Sequence, residues 1–231
     1  SNANINLFRL RHAFIKLNWK STELLTGQYW NPLFVTACFP GTVSFNTGTP
    51  MQSFARNPQI RVTQKIGDKL SIIVAALAQR DYTSRGPDPN DNTKILISSQ
   101  FLRNSSIPDM HLQLLYSNFN ESGKGLALGT GAAYKVITPR LYSVMGANKY
   151  TVDESVAGLT AIIFAKAVAG PVTVKSQLRY GENTADVLSP SGFAVVHSDP
   201  VTGEQTYTPL RNLTAWGEVH TNGKKVQVGV F

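Results

Sequence analysis

The chain has 231 residues, 42% of them hydrophobic and only 16% charged, with a formal net charge of +8. That length suits one all-β domain, the charge fraction is low for a water-exposed surface, and no stretch approaches the ~18 apolar residues of a membrane helix. The positive balance points to anionic partners, and the scatter of the basic residues excludes a polybasic arm.

Ser1-Asn2-Ala3 reads as the remnant of a cleaved expression tag, leaving residues 4–231 as one domain. Residues 5–19 form a β-prone run, Lys20-Ser21-Thr22 turn the chain, and Leu24 to Tyr29 return as a second strand. Residues 30–57 are irregular, punctuated by Pro32, Pro40, Gly41, Gly48 and Pro50. Gln59 to Ile66 then alternates with a period of two, Ile60, Val62 and Ile66 opposing Arg61, Thr63 and Lys65. Gly67-Asp68 is a hairpin turn, and Lys69 to Asp81 is its partner strand.

Residues 82–108 have the composition of a surface loop. Met110 to Ser117 and Gly125 to Val136 are strands joined by an Asn/Ser/Gly turn. Residues 154–167 form a strand buried for most of its length, and Pro171 opens its partner, which ends near Gly181. Residues 182–210 are loop-like with a small hairpin around Phe193 to Val196. Asn212 to His220 and Lys224 to Phe231 make the last pair, through Asn222-Gly223.

The connections alternate short and long. Tight turns follow the runs ending near Ile66, Ser117, Ala167 and His220; long Gly/Pro/Asn/Ser excursions follow those ending near Tyr29, Asp81, Val136 and Gly181. An up-and-down antiparallel sheet puts every second connection at one end, so one end is smooth and the other elaborate. The expected fold is an all-β antiparallel meander of about ten strands, of the outer-membrane β-barrel type.

The two strand faces differ. One carries Leu, Val, Ile and Ala, with Tyr116, Tyr134 and Tyr180 near strand ends and Trp19 and Trp30 near the ends of the first two strands. Aromatics there suit an interfacial girdle or the rim of a soluble core. The other face carries Arg61, Lys65, Lys175, Arg179 and Lys225, with Glu218 as its clearest acid; Arg9 and Arg11 share a face and join this set. In a barrel these residues line a wet lumen, where unbalanced positive charge favours anions. Gly129 and Gly131 on this face mark close approach or bending.

No catalytic or metal chemistry stands out. Gly129-Thr130-Gly131 lies inside a strand pattern and opens no helix. No Gly-x-Ser-x-Gly elbow is present. His111 and His220 alternate with apolar neighbours and read as ordinary strand residues. Cys38, the lone cysteine, reads as a buried thiol. The expectation is a protein without enzymatic activity, cofactor or metal, and without the exposed aromatics of a nucleic-acid platform.

The segments Phe8-Arg9-Leu10-Arg11-His12-Ala13-Phe14, Gly27-Gln28-Tyr29-Trp30-Asn31-Pro32 and Arg56-Asn57-Pro58-Gln59-Ile60-Arg61 resemble porin-like outer-membrane proteins of the Bacteroidetes type. The resemblance implies a barrel in the outer membrane of a Gram-negative cell, in contact with its lipid and passing small solutes. Arg9, Arg11 and Arg61 would face the lumen, and the loop after Trp30 would fold inward to narrow the pore.

With all short turns at the periplasmic end, the first strand starts and the last strand finishes at the loop end. Natural barrels keep both termini in the periplasm, so this chain is expected to be an incomplete barrel, truncated at both ends. The leading functional expectation is passive diffusion of small, anionic solutes, with homo-oligomerisation left open. The alternative is a soluble or surface-exposed β-sandwich binding ligands such as glycans through its loops, with Trp30, Tyr82 and Trp216 as contacts.

Overall fold

The computed structural model describes residues 10–46 and 51–231. In chain order the strands are β1 (Ala13–Asn18), β2 (Thr22–Trp30), β3 (Arg56–Ile66), β4 (Leu70–Leu77), β5 (Arg85–Asp88), β6 (Asp91–Ile97), β7 (Asp109–Phe119), β8 (Gly125–Ile137), β9 (Tyr142–Met145), β10 (Asn148–Thr151), β11 (Val156–Ala169), β12 (Val172–Glu182), β13 (Phe193–Ser198), β14 (Gln205–Pro209), β15 (Arg211–Thr221) and β16 (Gly229–Val230). A short helix, α1 (Gln100–Asn104), lies between β6 and β7.

Ten of these strands form one antiparallel sheet in the order β1-β2-β3-β4-β7-β8-β11-β12-β15-β16. Every pairing joins neighbours in the meander, and β1 and β16 stand at its two edges, so the sheet is open. The expected fold class is the observed one. β3, β7, β8, β11, β12 and β15 have 11 to 14 residues, enough to cross a bilayer at a tilt, which takes ~9–11.

Side chains of directly paired residues share a face, so the register sorts the two sides. On the outer face Val62 pairs with Val74, Val74 with Leu112, and Leu112 with Ala132. This face is apolar and uncovered: Leu112 is 52% exposed, Ile163 62% and Leu213 70%. Thr130 breaks the apolar run, and its hydroxyl donates to the Ile162 carbonyl at 3.0 Å, which satisfies it without water. Tyr134 and Tyr180 stand toward the long-loop end of this face, and Tyr116 toward the short-turn end. Six residues along β8 separate Tyr134 from Leu128, the partner of Tyr116, about 20 Å at the rise of a strand. A sandwich needs two sheets packed through their apolar faces; here the apolar face of the large sheet is the exposed one, and each remaining sheet has two strands.

The alternation of connections is as expected, with three differences. β5–β6 and α1 occupy the region expected to be loop over 82–108, and a further hairpin, β9–β10, follows β8. The hairpin near Phe193 is present as β13–β14. The expected last strand over Lys224 to Phe231 shrinks to Gly229–Val230, paired with Val219 and His220. Its Asn-Gly turn does not form because Asn222 is drawn into the neighbouring turn: its backbone N–H donates to Pro171 O at 2.7 Å and its side chain to Gly170 O at 2.9 Å, while Thr173 donates to it. Of the expected first run, residues 5–9 lie outside the described residues, and β1 begins at Ala13.

Candidate functional site

The described residues between β2 and β3, 31–46 and 51–55, fold back over the inner face of the sheet. Its two ends are pinned together: Asn31 N–H donates to Ala55 O at 3.0 Å, and the Asn31 amide donates to Asn57 Oδ1 at 3.0 Å. Asn31 Oδ1 in turn accepts from Leu33 N–H at 2.9 Å, starting the first turn.

One side of this loop meets the sheet. Leu33, Val35, Cys38 and Ala55 pack with Ala133, Ile162, Phe164 and Trp216 in a single apolar cluster. Polar ties supplement the packing. Gln113 donates to Pro32 O at 2.9 Å, Arg179 donates to the Ser53 hydroxyl, and Gly41 N–H donates to a Glu218 carboxylate oxygen. The Cys38 thiol, fully buried, contacts Ala165 O at 3.2 Å, and burial pushes its pKa up; it is a packing thiol. Other aromatics of the segment pack on one another: Phe34 stacks between Trp30 at 4.4 Å and Phe39 at 5.5 Å. The Arg56 guanidinium lies 4.2 Å from the Trp30 ring and pairs with Asp81 at 3.3 Å. The described part of the loop after Trp30 thus lies over the inner face, as the porin resemblance implied.

The candidate lining residues divide. Arg61 is on the inner face, in a row with Ala75, His111, Ala133 and Thr160, and donates to Gln59 Oε1 at 2.9 Å and to Trp30 O. Lys65 is on the same face and exposed. Lys175 is there too, held by Glu218 at 3.0 Å. Arg179 is buried beneath the loop, donating to Ser53, Ser189 and Asn212. Arg11 precedes β1 and is exposed outside any strand. Lys225 falls between β15 and β16, outside the sheet. Arg9 lies outside the described residues.

Three further cations of this face were not among the expected lining residues. Lys16 pairs with Glu23 at 3.1 Å. Lys135 is buried, donating to Asn183 O at 2.7 Å and pairing with Asp186 of the 183–192 segment. Lys166 lies opposite Lys175 on the next strand. The signal for Lys166 was available: Ile162, Phe164 and Lys166 share one face of a period-two run. The Lys135–Asp186 pair had none, because Asp186 sits in a long loop whose return path has no local signature.

Beyond the ends of the sheet, the long connections form a second layer. Phe101, Leu102, Ile137 and Val156 make a small core there, with Phe193 and Tyr207 against it. Arg140 and Glu154 form a fully buried pair beside it, and Glu154 also accepts from Tyr207 at 2.6 Å and from Gln205 N–H at 2.7 Å. Arg140 donates to Gly203 O at 2.7 Å, which ties two long connections together.

A ten-stranded antiparallel meander with an exposed apolar face, an inserted loop on the polar face, short turns at one end and elaborate loops at the other has the architecture of an outer-membrane β-barrel wall. Among solved structures, the chain is similar to the crystal structure of the outer membrane channel DcaP of Acinetobacter baumannii, at 15% sequence identity and a TM-score of 0.61 over 94% of this chain and 52% of that one. The chain therefore spans about half the length of that channel. The likeness supports the porin-like barrel fold and gives no support to the Bacteroidetes assignment. No protein-family model matches the chain, and no curated protein is similar to it.

Proposed function

We propose that this chain is wall and constriction of an outer-membrane channel through which small anionic solutes diffuse passively. The observation that carries the sign of the charge is the pairing on the inner face. Among the described residues, three of the four carboxylates there are held by lysines: Glu23 by Lys16, Asp186 by Lys135 and Glu218 by Lys175; the fourth, Asp109, lies 3.0 Å from His111, an imidazole that offsets it only when protonated. Arg61, Lys65 and Lys166 form no ion pair among the described residues, Glu23 reaching Arg61 only through space. In a lumen walled by low-dielectric lipid, that surplus attracts anions and repels cations. The loop over residues 31–55 supplies the steric limit. Transport by this route needs no covalent step and no cofactor, and the exposed apolar face meets the lipid of a Gram-negative outer membrane.

The test is conductance. The product of the complete gene, reconstituted in planar bilayers, is expected to conduct, and Lys65→Glu with Lys166→Glu is expected to reduce its preference for chloride over potassium several-fold. Unchanged preference would reject the assignment of these lysines to the conducting path; no conductance would reject the function.

A further inference from the structure

The long-loop layer holds a cleft of about 710 Å³, lined by residues of β5–β6, of the 183–192 segment and of β13–β14. Its volume falls within the ~300–1,000 Å³ of small-molecule sites. Ile95 from β6 and Val195 from β13 line it and are 64% and 50% exposed, and Leu188 and Pro190 line it too. Other apolar side chains of this layer are exposed as well, Ile97 and Val196 among them, and apolar groups gathered at a cleft mark a binding surface more often than apolar groups scattered singly.

The walls are fixed. Gly86 of β5 packs against the Phe101 ring, where an added Cβ would stand 3.0 Å from it. Ser84 O accepts from Ser98 N–H at 3.0 Å, and Gln79 donates to the Ser84 hydroxyl at 2.9 Å. On the other side, Phe193 and Tyr207 rest on the same small core as Phe101. Both walls therefore stand on one foundation, and the cleft is formed in advance of any ligand.

Arg85 is the one charged residue of the lining. It is exposed, and no hydrogen bond or ion pair holds its guanidinium among the described residues. A guanidinium left free beside an apolar cleft with no lining carboxylate matches a ligand with one anionic head and a compact apolar body. We propose that this cleft binds a small amphiphilic carboxylate, its head on Arg85 and its body between Ile95 and Val195. Bidentate pairing of carboxylate with guanidinium supplies the orientation, and burial of the body supplies the affinity. The inference does not rest on the channel reading, since binding here needs no conduction.

The test uses the protein in lipid nanodiscs and calorimetric titration with cyclohexanecarboxylate, empty nanodiscs serving as the blank. Acetate has the head without the body, and cyclohexanemethanol the body without the charge. Saturable binding of cyclohexanecarboxylate is expected, with both comparators at least ten-fold weaker. Arg85→Gln is expected to weaken it ten-fold or more, Arg85→Lys less, and Ile95→Asp to abolish it. Equal binding of acetate, an unchanged Arg85→Gln variant, or no saturable binding would overturn the proposal. Absent binding with intact conductance removes the cleft and leaves the channel; binding without conductance does the reverse.

Discussion

The Phe164 ring occupies the space that a side chain at Gly129 would fill. A Cβ built there would stand 2.2 Å from the ring and 2.7 Å from the Leu114 carbonyl oxygen. The two residues face each other across β8 and β11, and the ring extends from Gly129 into the cluster that seats the inserted loop.

Gly129→Ala is therefore expected to destabilise the fold by about 2 kcal/mol, the usual cost of overpacking. Phe164→Ala in the same chain relieves the ring clash and leaves the carbonyl clash, so the double variant recovers part of the loss. Urea unfolding of the protein in lipid vesicles measures both.

The outer face makes a separate prediction. Leu112 stands between the tyrosine levels, 52% exposed, with Val74 and Ala132 as its partners. Facing lipid near the bilayer midplane, Leu112→Arg costs about 2–4 kcal/mol. Facing water, the same change would be close to neutral. Folding equilibria in vesicles separate the two.

The inserted loop sets the narrow point in this account. Replacing residues 33–53 by a Gly-Ser link of four residues is expected to raise single-channel conductance several-fold while the outer face stays as it is. Gln113→Ala removes only the tie to Pro32 and is expected to add current fluctuations with little change in the mean. Unchanged conductance in the loop replacement would place the constriction elsewhere.

The long-loop layer depends on Glu154. Removing its charge in Glu154→Gln strands Arg140 in a fully buried site, which costs about 3 kcal/mol. Burial, and then the hydrogen bond to Glu154, holds the Tyr207 hydroxyl above the ordinary phenol range. The folded layer keeps that proton when the unfolded chain has released it. Its contribution is complete below pH ~10 and falls as pH rises further. Proteolysis of the 193–209 hairpin is expected to accelerate above that pH, and Tyr207→Phe is expected to remove this part of the slope.

Much of the fold was legible because strand alternation is a local signal. Ile60, Val62 and Ile66 opposing Arg61 and Lys65 sorted inner from outer before any pairing was known. Gly129 and Gly131 were legible as close approaches, though only the register names Phe164 and Gln113 as the neighbours. The last hairpin misled because Asn222-Gly223 is a strong local turn signal and Asn222 makes tertiary bonds instead. The hairpins over 85–97 and 142–151 escaped because such short strands have no face long enough to show a period. The balance of charge on the inner face was half legible. Lys65, Lys175, Arg179 and the acid Glu218 stood out, but Lys16 and Lys166 did not, and Lys135 finds its partner Asp186 in a long loop.

Reversal potential under a potassium chloride gradient tests the central claim most directly. With Arg61, Lys65 and Lys166 unbalanced in the lumen, the reconstituted complete gene product is expected to reverse on the side of the chloride equilibrium potential, and less so as salt rises and screens the charges. Reversal toward the potassium equilibrium potential would contradict the account.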